Sequence, residues 1–317
     1  MSRRRLLLGA AAAGGALALP RLAAAADAFP NREITVIMPT APGGGADVSL
    51  RGVLAPMGRI LGVPMVVRNI ANPTLATAQI ASARPDGYTI GLLGMTALLL
   101  MPRLMSVPYK TEDFAFLGGF AEVLYGLGMK AGGPASSVEE LIALAKTRRV
   151  TCSSNVIVNQ LAMIQLGNRA GVKFHWVPTN AQAEAVAQVA GGHVDAVVQS
   201  PPEMTPLIRS GQIRFLASAC NNRWPSFPEV KTLREMGYEA ANFVPLGLAC
   251  PTATSEAIRE KLSAALAQAA TDPETQTTIT NLGGWPRPMT PEQIRTDMLG
   301  QEPMITAALE EAGMRRR

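Results

Sequence analysis

Catalytic chemistry has little to work with in this chain. Only His175 and His193 are histidines among its 317 residues, so a general base of that type has few candidates. No G-x-S-x-G elbow, H-E-x-x-H helix or C-x-x-C pair occurs. Ser153-Ser154 and Asp195 offer a nucleophile and an acid, yet no base accompanies them, which leaves a hydrolase the least supported class. Cys152, Cys220 and Cys250 are odd in number and give no disulfide framework. They read as small buried residues, with one disulfide permitted in an oxidising compartment. No metal site is expected. Past the N-terminal region no run is long and apolar enough for a membrane helix. Ile90 to Met101 comes nearest and is interrupted by Gly91, Gly94 and Thr96.

An excess of positive charge is also missing once the first 26 residues are set apart. The chain has 29 basic and 24 acidic residues, but Arg3, Arg4, Arg5 and Arg21 stand in that segment without an acid. The remaining 25 against 24 removes the main support for nucleic-acid binding. Arg315-Arg316-Arg317 reads as a solvated tail. At the other end, Arg3 to Arg5 precede an apolar stretch from Leu6 to Leu19 and an alanine run from Ala23 to Ala26. That order predicts a secretory signal over residues 1–26 and export from the cytoplasm. Ser2-Arg3-Arg4-Arg5-Leu6-Leu7 fits the twin-arginine route as well as an arginine-rich Sec signal. No cysteine at the cleavage site offers a lipid anchor.

The rest of the chain is long enough for one large core or two. Short apolar runs alternate with helix-period segments. Ile34–Met38, Met65–Val67, Tyr88–Leu93, Val194–Val198 and Ile213–Ala217 read as buried strands. Val138, Leu141, Ile142 and Ala145 predict a helix behind a capping box of Ser136 and Glu139. Ala183, Val186, Ala187 and Ala190 predict another, stopped by Gly191-Gly192. Ile258, Leu262, Leu266 and Ala269 mark a third. The alternation predicts α/β architecture with helices on mainly parallel sheets.

One segment carries chemistry of its own. Ala41-Pro42-Gly43-Gly44-Gly45-Ala46-Asp47 follows the first strand and opens a helix over Val48 to Leu61. Glycines at such a turn leave backbone N–H groups unobstructed, and the helix start adds partial positive charge, which suits an anion. No Gly-Lys-Ser/Thr follows, so it is no P-loop, and the spacing fails the dinucleotide fingerprint. Asp47 has two options: to cap the helix or to pair with Arg51. A simple tight turn is the alternative to anion binding.

Pro39-x-Ala41-Pro42-Gly43-Gly44-x-x-Asp47-x-x-x-Arg51 resembles the opening motif of the tripartite tricarboxylate transporter receptors, the TctC/Bug-like periplasmic binding proteins. The likeness continues in order. Leu61-Gly62-x-Pro64 leads to Asn69, then Pro85-Asp86-Gly87-Tyr88-Thr89, Ser137-Val138-x-Glu140-Leu141, Gly191-Gly192-x-Val194-Asp195, Gly211-Gln212-Ile213 and Pro228-Glu229-Val230. The resemblance implies a two-lobed, type II-like periplasmic binding protein crossed twice by the chain, near Glu122–Lys130 and Phe243–Cys250, with a ligand cleft between the lobes. Lobe 1 would comprise residues 27–125 and 247–317, and lobe 2 residues 126–246. It implies a monomer without cofactor that captures a small organic acid and delivers it to membrane permease subunits of a tripartite tricarboxylate-type transporter. An adaptor presenting its ligand to a membrane sensor kinase is the alternative partner arrangement.

Several pocket segments depart from that pattern. Ala71-Asn72-Pro73-Thr74 replaces a glycine-rich loop, and Ser153-Ser154-Asn155-Val156-Ile157-Val158-Asn159 replaces a Ser-x-Gly-x-Gly-Ser run. Pro178-Thr179-Asn180-Ala181 has lost a lysine. Val156 to Val158 then either line an apolar wall or pack as a re-registered helix turn. The first option predicts a monocarboxylate, or an aromatic or apolar acid, in preference to a compact di- or tricarboxylate. Candidate ligand-binding residues are Ala41, Pro42, Gly43, Gly44, Gly45, Asp47, Met95, Thr96, Ser153, Ser154, Asn155 and Asn159. Asp195 joins them with a structural role as its alternative.

Overall fold

In the computed structural model, residues 29–154, 157–242 and 244–311 are described. The expected export signal, Asn155, Val156 and the arginine tail lie outside the described residues. The chain builds two sheets. The first draws on β1 (Ile34–Met38), β2 (Met65–Asn69), β3 (Thr89–Leu92), β4 (Phe114–Val123), β10 (Val244–Pro251) and β11 (Trp285–Met289), in the order β11-β4-β10-β3-β1-β2. The second is β7-β6-β8-β5-β9, from β5 (Gly126–Lys130), β6 (Val150–Ser154), β7 (Phe174–Pro178), β8 (Ala196–Gln199) and β9 (Ile213–Ser218).

Helices cover both sheets. On the first lie α1 (Gly45–Leu61), α2 (Pro73–Ala81), a π-turn over Thr96–Leu100 that runs into α3 (Met101–Leu104), α8 (Glu256–Ala270), α9 (Pro273–Asn281), α10 (Pro291–Leu299) and α11 (Glu302–Glu311). With the second go α4 (Val138–Thr147), α5 (Ile157–Ala170), α6 (Gln182–Gly191) and α7 (Pro201–Arg209). Local rules explain their extents. In α1, Leu50, Val53, Leu54, Met57 and Leu61 bury one stripe, and Gly62, left-handed at φ 73°, ends the helix by donating its N–H to the Gly58 carbonyl.

Three expectations need correction. The sheets are mixed rather than mainly parallel: β1 pairs parallel with β2 and β3, and β6 with β7 and β8. By contrast, β10 runs against β3 and β4, β11 against β4, and β5 against β8 and β9. The cause is the crossing: β5 and β10 arrive from the other sheet and start at the cleft, where the parallel strands end. The capping residue of α4 is Ser137, which accepts the Glu140 N–H at 3.2 Å, while Glu140 accepts from the Ser136 N–H at 2.6 Å. Both serines stand three residues before a glutamate, so spacing alone cannot choose between them. In α6 the buried residues are Ala185, Val186 and Val189, with Ala183 and Ala187 exposed. Alanines on both faces make the pattern ambiguous, and the larger valine decides it.

The chain leaves the first sheet for the second over Leu124–Tyr125 and returns between Ser218 and Val244. The outward crossing is tied at Tyr125, whose N–H donates to Cys220 Sγ at 2.9 Å. Its carbonyl accepts from Trp224 Nε1 at 3.2 Å and from the Ala219 N–H at 2.9 Å. Each sheet has its own core, and a third cluster joins them: Leu161 and Ile164 of α5 lie with Leu98 and Leu99 of the π-turn and with Ile305 and Leu309 of α11. Cys152, Cys220 and Cys250 are free and buried, and burial pushes all three thiols up.

Gly126 is the tightest point of the crossing. A Cβ there would meet Phe215 Cε2 and Trp224 Cζ2, each at 2.5 Å, and both rings are held in the core. Gly126→Ala is expected to cost about 2 kcal/mol through overpacking, read by urea unfolding with tryptophan fluorescence.

Candidate functional site

A cavity of about 260 Å³ opens between the two sheets. Its wall on the first-sheet side is Met38 to Thr40 at the end of β1, Gly45, Ala46 and Ser49 of α1, and Leu92 with Gly94 to Ala97 after β3. The opposite wall holds Val158 of α5, Gln182 of α6, and Ser200 to Glu203 at the start of α7. The crossing strands form its floor through Ala121 to Tyr125, Val244 and Leu246, and Gly283 and Gly284 close the side before β11. The cavity thus sits beyond the carboxyl ends of β1, β3 and β8, and the first turns of α1, α5, α6 and α7 face it. Helix starts carry unpaired N–H groups and the positive end of the helix dipole, so the starts of α1, α5 and α6 favour negative charge, whereas α7 opens on Pro201 and Pro202, which have no N–H to donate.

The glycine loop has a specific support. Gly43 is left-handed at φ 89°, and a Cβ at Gly43, Gly44 or Gly45 would meet nothing within 4 Å. The loop is therefore not compressed by packing. Its shape is set from behind by Asp47, only 2 % exposed. Asp47 accepts from the Gly43 N–H at 3.0 Å, from Arg51 Nε at 3.0 Å and from Asn69 Nδ2 at 2.8 Å. Burial pushes its carboxyl up, but the bonds from Arg51, Gly43 and Asn69 outweigh that and hold it below the ordinary carboxylate range.

The candidates separate accordingly. Gly45, Met95 and Thr96 line the cavity. Ala41, Pro42, Gly43 and Gly44 form the exposed loop beside it, and Asp47 lies behind that loop as its anchor. Ser153 points away from the cavity: its hydroxyl donates to the Ala185 carbonyl at 2.7 Å and fixes α6 to β6. Ser154 and Asn159 are fully buried and do not line the cavity, and Asn155 lies outside the described residues. Asp195 takes its structural alternative. It pairs with Arg148 and accepts from the Thr151 N–H at 2.8 Å, and though burial raises its pKa these partners bring it down overall. Val158 does line the wall, within the first turn of α5. Asn72, in one of the altered loops, caps α2 by accepting the Leu75 N–H at 3.0 Å, which brings Pro73 to the cavity.

Sequence reasoning missed the acids. Glu122 lines the cavity at 1 % exposure, and neither of its carboxyl oxygens has a hydrogen-bond partner among the described residues. Arg287 Nη1 stands 3.8 Å from its Oε2, beyond hydrogen-bond reach. Burial pushes Glu122 up to about 7, with Arg287 lowering and Asp297 raising it. Glu203, also in the wall, accepts from the Ser200 hydroxyl. No lysine, arginine or histidine lines the cavity among the described residues. Among the described residues there is also no cluster of His, Cys, Asp and Glu fit for a metal, and no helix long and apolar enough to cross a membrane.

Two stability effects follow. Asp47→Asn is expected to cost about 2 kcal/mol, the worth of charge-assisted bonds lost from a buried acceptor. Because the folded pKa of Asp47 is depressed, its contribution is present above the ordinary carboxylate range and lost on acidification, so the variant's unfolding midpoint falls less steeply toward acid. Glu122 has the opposite sign. Its raised folded value means that stability declines as pH rises from the ordinary carboxylate range to about 7, then levels. Glu122→Gln removes that decline and raises the melting temperature of the ligand-free protein at alkaline pH, measured by calorimetry across pH.

Comparison with known proteins places this geometry. The tripartite tricarboxylate transporter family receptor model matches residues 50–302. Protein BugT of Bordetella pertussis is 32 % identical over 252 residues, 75 % of each chain. The periplasmic binding protein BugD superposes with a TM-score of 0.72 at 26 % identity, covering 91 % of this chain and 100 % of that one. MatC from Rhodopseudomonas palustris, solved with bound malate, gives 0.71 at 25 % identity, covering 89 % and 100 %. These are solute-binding receptors and not enzymes. The chain belongs to the tripartite tricarboxylate transporter receptor family, with its mixed α/β, two-sheet binding-protein fold.

Proposed function

We propose that the protein, exported to the periplasm, captures a small organic carboxylate in the cavity between its sheets and delivers it to membrane permease subunits. One observation carries this reading: helix starts from both sheets converge on a single cavity lying outside the strand ends. A carboxylate leaving water needs donors at once, and the amides of the α1 first turn around Gly45 and Ala46, with the Thr96 hydroxyl, offer them without a basic side chain. Malate bound by MatC is a precedent for the ligand class within the same fold. Leu92, Val158, Val244, Leu246 and Ile279 supply apolar wall, which favours an acid with an apolar body over a compact tricarboxylate.

Closure of the two lobes over the ligand is the signal that a permease would read. The test is a thermal-shift series of short and branched fatty acids, aromatic acids, di- and tricarboxylates, and the matching amides. Apolar carboxylates are expected to raise the melting temperature where their amides do not, since binding to the folded state stabilises it by about 2.7 kcal/mol at a hundred-fold excess over Kd. Silence across every carboxylate, with the protein folded, overturns the reading.

A further inference from the structure

The cavity wall carries acids that have no task in the reading above. Its acidic groups come from both sheets: Glu122 at the end of β4 and Glu203 in the first turn of α7. Glu203 has the Ser200 hydroxyl as a donor. Glu122 has none: both of its oxygens are buried without a hydrogen bond among the described residues, and the nearest cation stands 3.8 Å away. A buried carboxyl without donors costs free energy, so its natural complement is a group that brings N–H bonds into the cavity. A second ligand carboxylate would meet two acids and no basic side chain there. From this arrangement we infer that Glu122 and Glu203 form a subsite for a protonated nitrogen, so that the ligand is an amino-carboxylate whose ammonium meets the acids while its carboxylate meets the α1 first turn.

This rests on the carboxylate reading and narrows it. The charged and titratable groups acting with Glu122 are Arg287 of β11, Asp297 of α10 and Cys220 beside the crossing, while Tyr125 and Glu203 share the cavity lining with it. Arg287 already pairs with Asp297 at 2.9 Å, which divides its charge between two acids. An ammonium requires the ionised form of Glu122, and without ligand that form is half-populated near its value of about 7. Protons therefore compete with an amine-bearing ligand and assist an anionic one. The sign of the pH dependence separates the two cases.

The experiment is calorimetric titration of leucine against isocaproate, of ε-aminocaproate against caproate, and of adipate, at several pH values. At least one amino-carboxylate is expected to bind ten-fold or more tighter than its deamino partner, and to weaken about ten-fold from pH 8 to pH 6 as Glu122 takes up its proton. Glu122→Gln and Glu203→Gln, checked for folding by circular dichroism, should each erase most of the amine's advantage and leave the deamino acid bound. The pH series on the unaltered protein gives the same answer should a variant fail to fold. Equal or tighter binding of the deamino acids or of adipate, strengthening as pH falls, overturns the subsite and leaves the carboxylate reading standing. Absence of binding by all five acids while another carboxylate of the thermal-shift series stabilises the protein overturns the subsite alone, and silence across that whole series overturns both.

Discussion

The direction of the parallel strands is the constraint from which the rest of the site follows. A β-strand followed by a helix on the sheet's face delivers the helix start to the strand's carboxyl end. Here β1, β3 and β8 all end at the gap between the sheets, so helix starts from both sides point into one space. No cationic side chain is needed to make that space attractive to an anion, and none lines it among the described residues. The antiparallel strands are the counterpart: β4 carries the chain out of the first sheet and β10 brings it back, so both crossings pass beneath the cavity. A ligand touching both walls also touches the strands about which the lobes would move.

Rigidity and openness are divided between neighbouring residues in the glycine loop. A sequence of glycines would be mobile if left alone, because each samples conformations closed to other residues. Asp47 removes that freedom from one side only. It binds the Gly43 amide, is itself held by Arg51 and Asn69, and leaves the other face of the loop clear of side chains. The motif's aspartate and arginine thus shape the loop, and its glycines remain open for contact.

Much of this was legible in the sequence, and the illegible part has a common cause. Strand runs such as Ile34–Met38, the helix over Val48 to Leu61, and the left-handed stop at Gly192 depend on neighbours within a turn or two. The ordered family motifs extended that reach to the whole fold. Direction of side chains at the cavity depends instead on partners far away in the chain. Ser153 and Asp195 carry groups suited to a ligand, yet α6 claims the first and Arg148 the second. Glu122 closes an apolar run and reads as the point where a strand meets water. Its burial is decided by Pro245 and Trp285, the residues that pair with it from β10 and β11. Strand parallelism was misjudged for the same reason, since the arriving strands come from the opposite sheet.

Glu122 then poses a question of energy rather than of fold. A solvent-facing acid at that position would cost nothing, and an apolar residue would be buried without that penalty. Instead the chain keeps a carboxyl out of water, short of donors, with its ionisation pushed to the neutral range. Natural proteins place such local inconsistencies at functional sites more often than elsewhere, because the destabilisation becomes binding free energy when a partner supplies the missing bonds. In a receptor this has a further consequence. On the amino-carboxylate reading, the ligand-free state bears the cost of the acid that lacks hydrogen bonds, whereas a closed, liganded state would be relieved of it. On that reading the same side chain would favour closure around a ligand that satisfies it and disfavour closure around an empty cavity or around a ligand that does not. Selectivity and lobe closure would then be coupled through one buried group, positioned on the strand that leads from the first sheet to the second.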